Sequence, residues 1–82
     1  MNVRVLFFAV TRDLAGTSEA TLVVPGEAPT VADFVRHLEA TYPDLSGRMA
    51  TVRVAKNERF TKPEAPLADG DVLALIPPVS GG

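Results

Sequence analysis

The chain has no cysteine and no tryptophan, and only one histidine and one tyrosine. Without thiols it can form no disulfide, no thiolate metal site and no cysteine nucleophile. That usage fits a reducing compartment, so a cytoplasmic protein is expected. One histidine leaves too few donors for a transition-metal centre. Positive charge is not in excess: eight Lys and Arg face ten Asp and Glu, for a net charge of −2. A nucleic-acid partner usually demands a basic surplus, so none is expected. No stretch approaches the ~18 apolar residues of a membrane span, and no membrane contact is expected. Repeats, low-complexity tracts and a dividing linker are also missing. Eighty-two residues then read as one domain.

What is present is ordinary globular material, 46% hydrophobic and 22% charged. A chain of this length buries only roughly 60–65% of its unfolded surface, so its core must be economical. Residues 3–10 are β-rich. Val3, Val5, Phe7 and Ala9 share one face; Arg4, Leu6, Phe8 and Val10 share the other. Arg4 marks the second face as outward and the first as core-facing. The run lacks a basic flank and a small-residue cleavage site, which favours a strand over a signal peptide. Residues 11–17, with Asp13 and Gly16, read as a turn. Residues 19–24 read as a second strand, ended by Pro25-Gly26 and paired with the first in a hairpin.

A helix follows. Thr30 is its expected N-cap, with Asp33 in the first turn. Val31, Phe34, Val35, Leu38 and Tyr42 form one apolar stripe. Pro43 closes the helix. Residues 51–55 read as a short strand with Val52 and Val54 inward and Arg53 outward. Lys56-Asn57-Glu58-Arg59 is a polar turn, and Asp69-Gly70 a tight one. Residues 72–76 are the last strand, with Leu73 and Leu75 inward and Ile76 outward. Pro77 stops it, because proline cannot donate to a ladder. The remaining segments, 46–50 and 61–66, read as loops. The fold class expected is α+β: a mixed sheet with one main helix packed on one face, in a β-grasp arrangement with the first and last strands central.

The chain ends Pro77-Pro78-Val79-Ser80-Gly81-Gly82. Two prolines favour an extended path, and two glycines let a terminal carboxylate enter a narrow site. Six residues at about 3.3 Å each reach roughly 20 Å past the last strand. The expected division is a domain over 1–76 and an extended tail over 77–82.

These stretches carry a resemblance. Residues 3–9 with Arg12-Asp13-Leu14 and Gly16, Thr30-Val31-Ala32-Asp33-Phe34, Val54-Ala55-Lys56-Asn57, residues 67–72 and residues 74–82 resemble the small-subunit family of molybdopterin synthase. That family belongs to the ubiquitin-like β-grasp sulfur carriers. Phe34 stands where the family usually has Leu. The resemblance implies that Gly82 is adenylated, converted to a thiocarboxylate, and donates its sulfur to a cyclic pterin phosphate precursor. It implies two partners: a molybdopterin synthase large subunit, in an assembly of two large and two small subunits, and a ubiquitin-activating-type adenylyltransferase. It implies no bound cofactor, ATP being consumed by the activating enzyme, and no activity for the chain alone. Related carriers serve thiazole synthesis and transfer-RNA thiolation, and others modify protein lysines. Thiazole carriers are usually shorter and lack the Pro-Pro-Val-Ser run.

Other residues are weighed against plainer roles. Phe8, Phe60 and Ile76 form an expected partner-binding patch at the root of the tail; singly, each would be an ordinary exposed apolar group. Arg12 is a candidate partner contact or a solvated arginine. His37 lies roughly 110° from the helix stripe and reads as a solvated flank residue. Asp69 and Asp71 flank Gly70 and read as turn residues, not as a catalytic carboxylate pair.

Overall fold

The computed structural model describes residues 1–78. Its elements are β1 (Asn2–Phe7), α1 (Val10–Ala15), β2 (Glu19–Val23), α2 (Val31–Thr41), β3 (Arg53–Lys56), β4 (Arg59–Phe60) and β5 (Val72–Ile76). Two single 3₁₀ turns, Pro43–Leu45 and Met49–Thr51, lie between α2 and β3. The five strands form one sheet in the order β2-β1-β5-β3-β4. β1 and β5 run parallel at its centre, and the other pairs are antiparallel. This is the expected α+β, ubiquitin-like β-grasp architecture.

Strand alternation decides which face meets the helix. Val3, Val5, Phe7, Leu22, Leu73 and Leu75 are buried and join Val31, Phe34 and Leu38 of α2 in one core. Each fully buried Leu or Phe contributes roughly 1.5–3 kcal/mol. Tyr42 extends the stripe and meets the Phe7 ring edge-on, with centroids 5.3 Å apart.

The start of α2 is set by a reciprocal cap. The Asp33 N–H donates to Thr30 Oγ1 at 3.3 Å, and the Thr30 N–H donates to Asp33 Oδ2 at 2.8 Å. Aspartate thus does the work that Glu or Gln usually performs in this motif. The backbone bond from Thr30 holds the Asp33 carboxyl below its usual range. Desolvation opposes that shift, while the Thr30 hydroxyl and the Arg36 guanidinium add to it. Tyr42 caps the other end, and its N–H still reaches Leu38 O at 2.8 Å.

Three expectations change. β1 stops at Phe7, and Ala9, expected in the core, is exposed with φ 52°. The turn expected over 11–17 is instead the short helix α1, closed by Gly16 at φ 77°. Alternation alone could not see that the chain leaves the sheet at Phe8. Val52 is only half-buried beside the second 3₁₀ turn, and β3 begins one residue later. The segments read as loops are tied down. Met49 is buried, the Val31 N–H donates to Ala65 O and the Ala32 N–H to Pro63 O, both at 2.9 Å.

Candidate functional site

The site is built around the last strand. Leu73 and Leu75 point into the core, so Val72, Ala74 and Ile76 face the opposite side of the sheet. β1 runs beside them in parallel, with Phe7 opposite Leu75 and Leu6 opposite Ala74. β3 runs antiparallel on the other flank, with Ala55 opposite Ala74 and Arg53 opposite Ile76. The register therefore gathers side chains far apart in sequence along the outer face of β5, from Val72 to Ile76, where Pro77 and Pro78 leave.

They form a shallow groove of about 310 Å³ lined by Leu6, Phe8, Ala55, Glu58, Phe60, Val72, Ala74 and Ile76. Ala55 and Ala74 are small, which makes the floor concave. Phe8 and Phe60 stand at its sides, 48% and 55% exposed. The Arg53 guanidinium lies 3.7 Å from the Phe60 ring centroid, a cation–π contact that orders that side. An apolar depression with two exposed phenylalanines costs free energy while it faces water, and a partner's apolar side chains would relieve that cost.

The structure brings Phe8, Phe60 and Ile76 together as expected, at the root of the tail. Arg12 is exposed on α1 and does not line the groove. Val79, Ser80, Gly81 and Gly82 lie outside the described residues, so only Pro77 and Pro78 of the expected tail are placed. His37 is half-buried on the far side, near Asp33 and Arg36. A larger cleft of about 410 Å³ lies between α2 and β3, lined by Val31, Val35, Met49 and Val54 among others. It is on the helix side of the sheet, and Arg53, opposite Ile76 in register, is among its lining residues.

Leu6, Ala55, Glu58, Val72 and Ala74 were not expected in the site. Leu6 could have been included, because it shares the outward face of Phe8. Ala55 and Ala74 could not, because only the pairing of β3 with β5 makes them neighbours.

The start of β5 is held by a polar cluster. Asp71 is 7% exposed. Its Oδ2 accepts from the Ala68 N–H at 2.7 Å, and its Oδ1 from Asn57 Nδ2 at 2.9 Å. Asn57 Oδ1 in turn accepts from the Val72 N–H at 2.9 Å. Asn57 and Glu58 have φ of 51° and 71°, the left-handed pair of a tight hairpin turn that swings Phe60 to the groove. Asp69, by contrast, serves its turn, accepting from the Asn2 N–H at 2.7 Å. Asp71 is thus a buried anchor and more than the turn residue expected.

Among the described residues no helix is long and apolar enough to cross a membrane. Known proteins resemble this chain in sequence and in fold. The "Molybdopterin synthase sulfur carrier subunit" of Chlamydomonas reinhardtii is 37% identical over 84 residues, covering 100% of both chains. The crystal structure of SAMP1, a small archaeal modifier protein from Haloferax volcanii, superposes with a TM-score of 0.90 at 30% identity over 100% of both chains. A complex of subunits 1 and 2 of molybdopterin-converting factor from Helicobacter pylori contains a chain matching at TM-score 0.68 and 26% identity, again over 100% of both. The ThiS family model matches residues 5–82, from inside β1 to the final glycine. The groove, the β-grasp sheet around it and that match together make this chain a member of the ThiS family.

Proposed function

We propose that the chain is the sulfur carrier subunit of a molybdopterin synthase and acts through the Gly82 carboxylate. A carboxylate is a poor electrophile. Attack on the α-phosphorus of ATP gives an acyl adenylate and releases pyrophosphate. A sulfide equivalent then displaces AMP and leaves a thiocarboxylate. That sulfur adds to a cyclic pterin phosphate held by the large subunit, and water cleaves the resulting acyl–sulfur bond and restores the carboxylate. Two carriers supply the two sulfurs of one dithiolene. The chain provides the reacting group without a thiol of its own, which suits a sequence with no cysteine. Acid, base and oxyanion donors come from the partners. A reducing cytoplasm is the setting that fits.

The observation that carries this reading is the apolar groove where Ile76, Pro77 and Pro78 leave the sheet. A partner seated there on Phe8, Phe60 and Ile76 has the tail directed into its own active site. The resemblance to a chain solved within a two-subunit molybdopterin-converting factor supports a large-subunit partner. The test is intact mass after incubation with ATP, an activating enzyme and a sulfur donor. The expected gain is the difference between one sulfur and one oxygen, confined to the C-terminal peptide. Deleting Gly82, or adding one residue after it, should cut sulfur transfer by about a hundredfold or more, since the sulfur then misses its acceptor. Transfer that survives either change rejects the mechanism.

The likeness to SAMP1 favours a second reading, a lysine-directed protein modifier. The same adenylate would then meet an amine, and Gly-Gly remnants on target lysines would report it. Their absence under conditions that form the thiocarboxylate leaves the sulfur-carrier reading alone.

A further inference from the structure

Three non-glycine residues have positive φ among the described residues, and two of them, Asn57 and Glu58, belong to the β3–β4 hairpin turn. The third is Ala9, at φ 52° and ψ −129°, a conformation suited to glycine. It follows Phe8 at the point where β1 leaves the sheet. Strain of this kind persists only where neighbouring contacts over-determine it.

Thr11 supplies those contacts. It is fully buried. Its Oγ1 accepts from the Phe8 N–H at 3.0 Å and donates to Phe8 O at 2.6 Å. The Thr11 N–H also donates to Phe8 O, at 3.1 Å. Both backbone polar groups of Phe8 are therefore held by one residue, although Phe8 lies beyond the end of β1. Its neighbour Phe7 is in register with Leu75, which puts Phe8 beside Ile76 and the root of the tail. A phenylalanine half exposed above an apolar floor gains by falling onto it and filling the groove. Pinning the Phe8 backbone fixes the direction of its Cα–Cβ bond and opposes that collapse.

We infer that Thr11 is a positioning residue for partner docking: its buried hydroxyl holds Phe8 at the edge of the groove, and the strained Ala9 is the consequence. Thr11 does not line the groove and acts through Phe8. The inference rests on the sulfur-carrier reading for its partner, and its first readout does not.

The Phe8 amide reports the lock in the isolated carrier. Its hydrogen exchange should be slow, like that of Val5 in the strand. Exchange as fast as at exposed Glu27 overturns the proposal even if no variant folds. Thr11→Val keeps the shape and removes the hydroxyl. It should speed Phe8 exchange about tenfold or more relative to Val5. It should weaken binding to the reconstituted large subunit roughly five- to tenfold while leaving transfer at saturating partner unchanged. Thr11→Ser, which keeps the hydroxyl, should restore both. In a double-mutant cycle, Phe8→Ala should add little further loss to Thr11→Val. Fast exchange with unchanged affinity makes Thr11 merely structural and sinks the positioning role. Unchanged affinity in Phe8→Ala alone sinks it as well, and at the same time removes Phe8 from the docking surface. An unchanged carrier mass in the thiocarboxylation assay, with Phe8 exchange slow, rejects the carrier reading instead.

Discussion

The two ends of β5 are built in opposite ways. At the start, Asp71, Asn57 and Ala68 tie the strand to a turn and to the β3–β4 hairpin through side-chain bonds of 2.7–2.9 Å. At the other end, Ile76 opens onto the apolar groove and two prolines follow. Prolines offer no N–H for a further ladder, so nothing there extends the sheet. A polar cluster around the buried Asp71 holds the start of the strand, and its outer face from Val72 to Ile76 is left as uncovered apolar surface leading to the prolines. Under the proposed function this division is useful, because the strand that feeds the tail stays fixed while the groove remains open for docking.

The first way to break the contrast is Asp71→Ala. It strands the Ala68 N–H and the Asn57 amide, both held by a nearly buried carboxylate. A loss of about 2 kcal/mol is expected, since two hydrogen bonds to a charged group are removed while the exposed donors can turn to water. Denaturant unfolding checks it. Sulfur transfer below the melting range should be close to wild type, and a selective loss of transfer would contradict the division.

Phe60→Ala attacks the other end. Phe60 is 55% exposed, so stability should change by no more than about 1 kcal/mol. Affinity for the large subunit should fall about tenfold, as for an aromatic contact covered on docking. Calorimetric titration measures it, and undiminished affinity would remove the groove as the docking surface.

Thr30→Ala is the control at the helix start, outside the groove and outside the Asp71 cluster. Loss of the cap should cost about 1 kcal/mol with docking intact. Asp33→Asn sharpens it with pH. The folded carboxyl titrates below its usual value of 3.8. The stabilisation it supplies is therefore full above that value and disappears as pH falls through the lower, folded pKa. Wild type should be more stable than Asp33→Asn near neutrality, and the gap should close in strong acid. A gap that widens on acidification would mean the shift has the opposite sign.

Much of this was legible in the residues. The Val3, Val5 and Phe7 alternation, the Val31 to Tyr42 stripe and the Thr30 cap are local signals, and the elements followed them. The end of β1 was not legible. Ala9 and Val10 continue an apolar β-like pattern, and only the bonds from Thr11 to Phe8 turn the chain into α1. Asp71 looked like half of a turn because its partner Asn57 is fourteen positions away. The groove was partly legible. Phe8 and Ile76 could be placed outward by phase, but Ala55 and Ala74 mattered only once β3 was set beside β5.

Sequence by itself determined the periods, the caps, the proline stop after Ile76 and the thiol-free, small-ended tail, because each depends on neighbours along the chain. Tertiary structure alone decided the sheet order, the groove and the two locks, at Thr11 and at Asp71. Those depend on register between strands, and register is chosen by the burial of the whole core rather than by any one segment.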